Sequence, residues 1–99
     1  INLMREVDCK DFIPSSNKFI ALFVADWCGY CRRLLNELKG KNFKIPIVLV
    51  KINDVDDECW DKFEIEVVPT AVLYENGRPI KRKFSYRGLS SRDIEELCI

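Results

Sequence analysis

Phe19-Ile20-Ala21-Leu22-Phe23-Val24-Ala25-Asp26-Trp27-Cys28-Gly29-Tyr30-Cys31 is the stretch on which the reading of this chain turns. Its first part, residues 19–25, is an unbroken apolar run, the mark of a strand buried on both faces. From Cys31 the period changes. Cys31, Leu34, Leu35 and Leu38 fall at i, i+3, i+4 and i+7, one apolar helical face, with Arg32, Arg33, Asn36 and Glu37 outside it. Gly40 is the expected stop. A buried strand therefore runs into an amphipathic helix, and two cysteines sit at the junction.

Outward from that junction the pattern continues. Ile45–Val50 reads as a second buried strand, so strand, helix and strand imply a parallel pair with a right-handed crossover. Asp54–Phe63 reads as a short acidic helix and Thr70–Tyr74 as a third strand. Asn76-Gly77 is a strong hairpin signal leading to a strand over Ile80–Phe84. Ser90 caps a last helix, with Asp93 in its first turn and Ile94, Leu97 and Cys98 on one face. On the N-terminal side, Ile1–Val7 fits a short strand. Asp8–Ile13 fits a turn or two of helix, with Cys9, Phe12 and Ile13 at i, i+3 and i+4, and Pro14–Asn17 forces a turn. The expectation is an α/β fold: a mixed central sheet of four to five strands, flanked by helices on both faces, in one domain over residues 1–99.

Composition agrees with a packed domain and narrows the chemistry. The chain has 99 residues, 47% of them apolar and 32% charged, which suits one core and not a disordered segment. Lys plus Arg, 16, equals Asp plus Glu, 16, so net charge gives no reason to expect nucleic acid or an anionic membrane as partner. There are 0 histidines, which removes the commonest general base and metal ligand. No apolar run is long enough to span a bilayer, and no signal-peptide pattern opens the chain. The chain opens on Ile1; Met4 as a native start and excision from a larger protein both stay open. Of 5 cysteines only Cys28 and Cys31 are close in sequence. Cys9, Cys59 and Cys98 read as small hydrophobes filling the core, with a regulatory thiol as the other reading of Cys59. A pair plus leftovers suits a reducing compartment, so a cytoplasmic monomer is expected, with a periplasmic setting as the alternative.

The chemistry lies at the helix mouth. A thiol there meets unsatisfied N–H groups and the positive end of the helix dipole, which favour thiolate. In Cys-X-X-Cys motifs the pKa of the first sulfur falls from about 8.5 to between about 3.5 and 7.5, so no histidine is required. Helical phase assigns the roles. Cys31 shares the inward face with Leu34 and Leu38, while Cys28 lies one turn earlier, within a substrate's reach. Cys28 is the expected attacking sulfur and Cys31 the resolving one. Gly29 lets the backbone turn tightly between them, and Trp27 offers a flat apolar wall. Far off in sequence, Pro69 in Val68-Pro69-Thr70 stands at a strand entry, where proline costs no ladder bond.

Trp27-Cys28-Gly29-Tyr30-Cys31, Lys51, Val68-Pro69-Thr70, Asn76-Gly77 and Gly88 together resemble the thioredoxin family, over nearly the whole chain from about Phe19 onward. The resemblance implies a thiol–disulfide oxidoreductase with no cofactor beyond a redox-active Cys28–Cys31 disulfide. It implies protein disulfides as substrates and an upstream disulfide reductase or thiol donor, with reduction favoured over oxidation by the intracellular look of the cysteines. It also implies a cis Pro69 against the sulfur pair, a Val68 backbone that pairs with an extended substrate segment, a Lys51 beneath the site and a Gly88 in a loop beside it, with Tyr30 in support. Three positions depart from the family. Leu22 stands where a buried acid usually lies, thought to accept the second cysteine's proton, and Asp26 is not its substitute. Gly29-Tyr30 is similar to some bacterial periplasmic disulfide isomerases rather than to most thioredoxins. Asn36 replaces a common mid-helix proline.

Other readings compete. Half of a shared zinc or iron–sulfur site is one reading of the sulfur pair, but no second Cys-X-X-Cys and no histidine complete it. Asp54, Asp56, Asp57 and Glu58 lack the glycine and distal glutamate of a calcium loop and suit a helix start. Arg78, Lys81, Arg82, Lys83 and Arg87 form a basic edge, read first as protection against sheet pairing, then as partner docking or nucleic-acid binding. Lys51 is either a solvated strand end or a tuner of the sulfur pair. Trp60 and Phe63 read as packing residues. The alternative for the whole is a partner-binding module of the same fold, with redox incidental or regulatory.

Overall fold

The computed structural model describes residues 5–99. Its elements are β1 (Arg5–Asp8), a 3₁₀ turn (Cys9–Asp11), β2 (Phe19–Val24), α1 (Gly29–Leu38), β3 (Ile47–Lys51), α2 (Cys59–Lys62), β4 (Thr70–Glu75), β5 (Arg78–Phe84) and α3 (Ser91–Leu97). The strand expected over Ile1–Val7 runs from Arg5 to Asp8, and residues 1–4 lie outside the described ones. The sheet has five strands in the order β1-β3-β2-β4-β5. β1 and β2 flank β3 in parallel, and β4 and β5 complete the sheet antiparallel.

β2 is central and buried at every residue, as its unbroken apolar run requires. Side chains alternate across it. Phe19 and Phe23 meet an aromatic cluster: Phe19 stacks on Tyr74 with centroids 5.3 Å apart, and Phe12 and Phe63 pack on Phe23 at 5.9 and 5.5 Å. These rings come from the segments after β1 and α2. Ile20, Leu22 and Val24 point the other way, under α1 and α3, which pack on each other. Helices thus cover both faces, and Leu22 is fully buried between sheet and helices.

Register gathers the functional segments at one end. β2 and β3 are parallel, so Val24 and Lys51 finish together. Asp8 ends β1 opposite Lys51. Because β4 is antiparallel, its start, Thr70, lies beside Phe23, and Phe84 ends β5 opposite Thr70. Cys9, Cys28, Asn53, Pro69 and the 85–90 loop all follow or precede those strand ends.

Two expectations need correction here. The acidic helix over Asp54–Phe63 shrinks to one turn, Cys59–Lys62. Asp57 Oδ1 accepts the Cys59 N–H at 2.9 Å, a side-chain bond that competes with helix, and the Asp54 carbonyl accepts the Trp60 indole N–H at 2.9 Å. The turn ends at Glu64, in the left-handed region at φ 56°, with the Ile65 N–H on the Trp60 carbonyl at 2.8 Å. The second correction concerns cysteine. Cys9 and Cys59 are not free core fillers but a disulfide joining the 3₁₀ turn to α2, with Cα atoms 6.3 Å apart. Helical spacing revealed that each was buried but not that the two burial sites coincide. Cys98 alone is free.

The basic edge is β5, the exposed outer strand. Two of its cations are spent internally: Arg82 donates to the Glu64 carbonyl at 2.8 Å, and Lys83 pairs with Glu96. α3 starts as expected, with the Asp93 carboxylate accepting the Ser90 N–H at 2.8 Å.

Candidate active site

The site is built on the step from β2 into α1. Cys28 is extended, at φ −92° and ψ 112°, and occupies the cap position of α1. The Cys31 N–H donates to its sulfur at 3.1 Å, one of the helix's orphan donors. Cys28 and Cys31 form a disulfide with Cα atoms 5.2 Å apart. The structure is thus the oxidised form. Cys31 is 1% exposed and Cys28 6%, the larger value falling on the sulfur expected to attack. When the bond is reduced, the Cys31 N–H and the dipole of α1 remain aimed at Cys28 Sγ, which stabilises it as thiolate.

Val68 and Pro69 close the site from β4. The Val68–Pro69 peptide is cis, and the Val68 carbonyl oxygen lies 3.5 Å from Cys28 Sγ. The turn is fixed from behind by the Thr70 hydroxyl, which donates to the Val67 carbonyl. Proline at the entry of β4 withdraws no ladder donor.

Trp27 is 54% exposed, and its ring is pinned by one bond: the indole N–H donates to the Asn53 carbonyl at 2.8 Å. Tyr30 is 43% exposed. The Arg33 guanidinium sits over its ring, 4.9 Å from the centroid, and also donates to the Arg87 carbonyl at 3.5 Å. Gly88 abuts that ring. Its φ is +87°, and a Cβ there would lie 2.7 Å from Tyr30 Cδ1. Tyr30 and Gly88 are thus brought together with the sulfurs. The Tyr86 hydroxyl donates to Glu66 at 3.2 Å and so ties the 85–90 loop to the segment leading into Pro69.

Lys51 reaches the site only through a carboxylate. Its Nζ contacts Asp26 at 2.8 Å and Glu6 at 3.2 Å. The hydrogen bond from Lys51 holds Asp26 below the usual carboxylate range, with its charge and Asn53 adding to the effect against partial desolvation. Asp26 and Glu6 in turn raise Lys51 above its ordinary value. Asn53 completes the cluster: its Oδ1 accepts the Asp26 N–H at 2.8 Å and its Nδ2 donates to Asp26 Oδ2 at 3.1 Å. Lys51 is therefore a neutralised strand end that orients Asp26, two residues before Cys28.

Sequence reading missed Asn53, Arg33 and the second disulfide. Asn53 carries no signal, being 26 residues from Trp27, which its backbone carbonyl binds, and 27 from Asp26, which its side chain binds. The disulfide had a signal: once one pair is accounted for, three cysteines remain, enough for another. Among the described residues no group of three or more His, Cys, Asp and Glu is placed to hold a metal ion, and no helix is long and apolar enough to cross a membrane.

Known proteins share this arrangement. Residues 4–97 match the family model described as thioredoxin. The chain is 35% identical over 85 residues to protein disulfide-isomerase 5-2 of Arabidopsis thaliana, covering 77% of this chain but only 19% of that protein. It is 30% identical over 88 residues to the thioredoxin Asp f 28 of Aspergillus fumigatus, covering 86% of this chain and 79% of that one. Among solved structures, thioredoxin f2 of Chlamydomonas reinhardtii superposes with a TM-score of 0.65 at 25% identity, over 81% of this chain and 82% of the other. With the family model spanning sheet, helix tip and cis proline alike, the chain belongs to the thioredoxin family.

Proposed function

We propose that the chain exchanges disulfides with protein substrates, with Cys28 attacking and Cys31 resolving. The observation that carries this is the Cys31 N–H on Cys28 Sγ at 3.1 Å, at the tip of α1, with the Val68 carbonyl 3.5 Å from the same sulfur. In the reductive direction the Cys28 thiolate attacks one sulfur of a substrate disulfide. A mixed disulfide forms, and the other substrate sulfur leaves as thiolate and takes up a proton. Cys31 then attacks Cys28 Sγ, the second substrate sulfur leaves, and the Cys28–Cys31 bond closes, with two electrons passed to the substrate. An extended substrate segment pairs with the Val68 backbone, between Trp27 on one side and Tyr30 and Gly88 on the other. Leu22 gives Cys31 no neighbouring carboxylate for its proton, so resolution is the slow step. Cys31→Ser tests the assignment: it accumulates a mixed disulfide on Cys28, and an adduct on any other cysteine, or none, contradicts it.

Direction is a separate matter. The expectation of a cytoplasmic reductase drew on cysteine usage that looked intracellular, and the Cys9–Cys59 disulfide removes that support. A chain with a second, buried disulfide suits a compartment where such bonds persist, which favours disulfide donation or isomerisation as the second reading. Equilibration of Cys28–Cys31 against glutathione buffers separates the two. A potential near about −270 mV supports a reductase, and one near about −180 mV supports donation or isomerisation.

A further inference from the structure

Asn53–Glu58 connects β3 to α2 and carries no fully buried side chain; Val55, its one apolar residue, is 83% exposed. The loop is held at its two ends and, between them, by the Asn53 side chain on Asp26 and the Asp54 carbonyl on the Trp60 indole N–H. At the first end, Ile52 is buried and its N–H donates to the Val24 carbonyl at 2.8 Å. At the second, Cys59 is buried and bonded to Cys9. α2 is a single turn of four residues, too short to hold its place by helix formation alone. Cys9, by contrast, is fixed by the end of β1 and by the Phe12 N–H on its carbonyl at 3.0 Å.

Inside the loop, contacts pass from Cys59 to the active site. The Cys59 N–H lies on Asp57, the Asp57 N–H on the Asp54 carbonyl at 3.2 Å, and the neighbouring Asn53 carbonyl holds the Trp27 indole. We propose that the Cys9–Cys59 disulfide is a second redox site, a positioning crosslink that holds the Asn53 loop and, through it, the Trp27 wall beside Cys28. The proposal rests on the exchange reading of Cys28. With the bond closed, Trp27 stands ready to receive a substrate segment. With it open, the far end of the loop loosens, the acceptor of Trp27 is held by the Asn53–Asp26 bonds alone, and protein substrates bind less tightly.

Opening the bond requires a dithiol reductant. One of its thiolates attacks a sulfur of the Cys9–Cys59 pair, that bond breaks, and a mixed disulfide forms. The second thiol of the reductant displaces the first cysteine and closes the reductant's own disulfide. Cys9 and Cys59 gain two electrons and two protons, and the reductant loses them. Both sulfurs belong to residues only 2% exposed, so the loop must open before attack, and the bond outlasts Cys28–Cys31 under mild reduction.

The test compares the wild type, with Cys9–Cys59 verified closed by mass, with the Cys9→Ala/Cys59→Ala variant. Two substrates are used: a disulfide-bonded peptide long enough to reach Trp27, and dithionitrobenzoate, a small aromatic disulfide. Loss of one ordinary hydrogen bond at the wall predicts a KM for the peptide raised about fivefold, with kcat and the dithionitrobenzoate rate within about twofold. The Trp27 indole N–H, followed by nuclear magnetic resonance without substrate, exchanges with solvent about tenfold faster. Unchanged KM and indole exchange overturn the proposal, as does an equal loss on both substrates, which marks a disturbed sulfur pair. If the variant does not fold, the wild type reduced in two steps serves: indole exchange must quicken at the second step, when Cys9–Cys59 opens, and not at the first. The indole readout involves no substrate, so it stands or fails apart from the exchange reading at Cys28.

Discussion

Cys28–Cys31 and Cys9–Cys59 are bonds of the same kind in two unlike settings. The first joins residues 3 apart at a helix tip, on backbone that is already in place. The second joins residues 50 apart and ties the end of β1 to a helix of one turn. On a chain-entropy basis, closing the short loop removes about 2 kcal/mol of freedom from the unfolded chain and closing the long one about 4 kcal/mol. The short bond is thus cheap to open and has a hydrogen-bond donor waiting for the sulfur it releases. The long one stabilises the fold and supplies no attacking sulfur; its opening loosens the Asn53 loop behind Trp27. Position relative to the secondary structure, together with burial, separates a bond placed to cycle from one placed to hold.

The contrast is broken or sharpened first at Cys28. Cys28→Ser should reduce disulfide exchange by about a thousandfold or more, because a hydroxyl at that position is not ionised near neutral pH. Against the wild type with Cys28–Cys31 reduced, stability in urea should barely change. Next in size is Cys9→Ala/Cys59→Ala, which should lower unfolding stability by about 3 kcal/mol when both proteins are compared with Cys28–Cys31 in the same state. Reducing Cys28–Cys31 alone should cost less, and an equal or larger cost would erase the distinction.

Gly88→Ala acts on the cycling side. Its φ of +87° and the 2.7 Å approach to Tyr30 Cδ1 predict a loss of about 2 kcal/mol, with a displaced Tyr30 and a raised KM for peptide substrates. The smallest effect concerns Asp26 and Lys51. Asp26 is held below 3.8, so its contribution is present above that value and is lost as pH falls through its lower folded pKa. Lys51 is raised above 10.5, so its contribution is complete below 10.5 and is lost as pH rises through its higher folded pKa. The pair therefore stays charged throughout the neutral range and contributes no midpoint there. Asp26→Asn should flatten the acid limb of the stability profile, as pH-resolved denaturation would show.

The parts legible in the sequence were those with a period or a local chemical signature. Residues 19–25 could only be a core strand, Cys31, Leu34 and Leu38 could only share a helical face, and Asn76-Gly77 turned the hairpin where expected, at φ 56° and 78°. The helix tip followed from those two periods, and with it the inward place of Cys31; Cys28, expected within a substrate's reach, is buried as well, at 6%. What escaped was long-range. α2 has no period to read in four residues and depends on Cys9, Phe12 and the two indole-bound carbonyls. Asn53 binds Trp27 through a backbone atom and Asp26 through its side chain, from 26 and 27 residues away. The cis geometry at Pro69 came from family resemblance, since proline at a strand entry is equally at home in trans.

The most direct test is stepwise reduction with dithiothreitol, quenched by alkylation at increasing concentration and read by mass at each cysteine. The account predicts labels on Cys28 and Cys31 together at low reductant, with Cys9 and Cys59 still joined, and labels on those two only at higher concentration. Simultaneous opening of both bonds, or Cys9–Cys59 opening first, would contradict it.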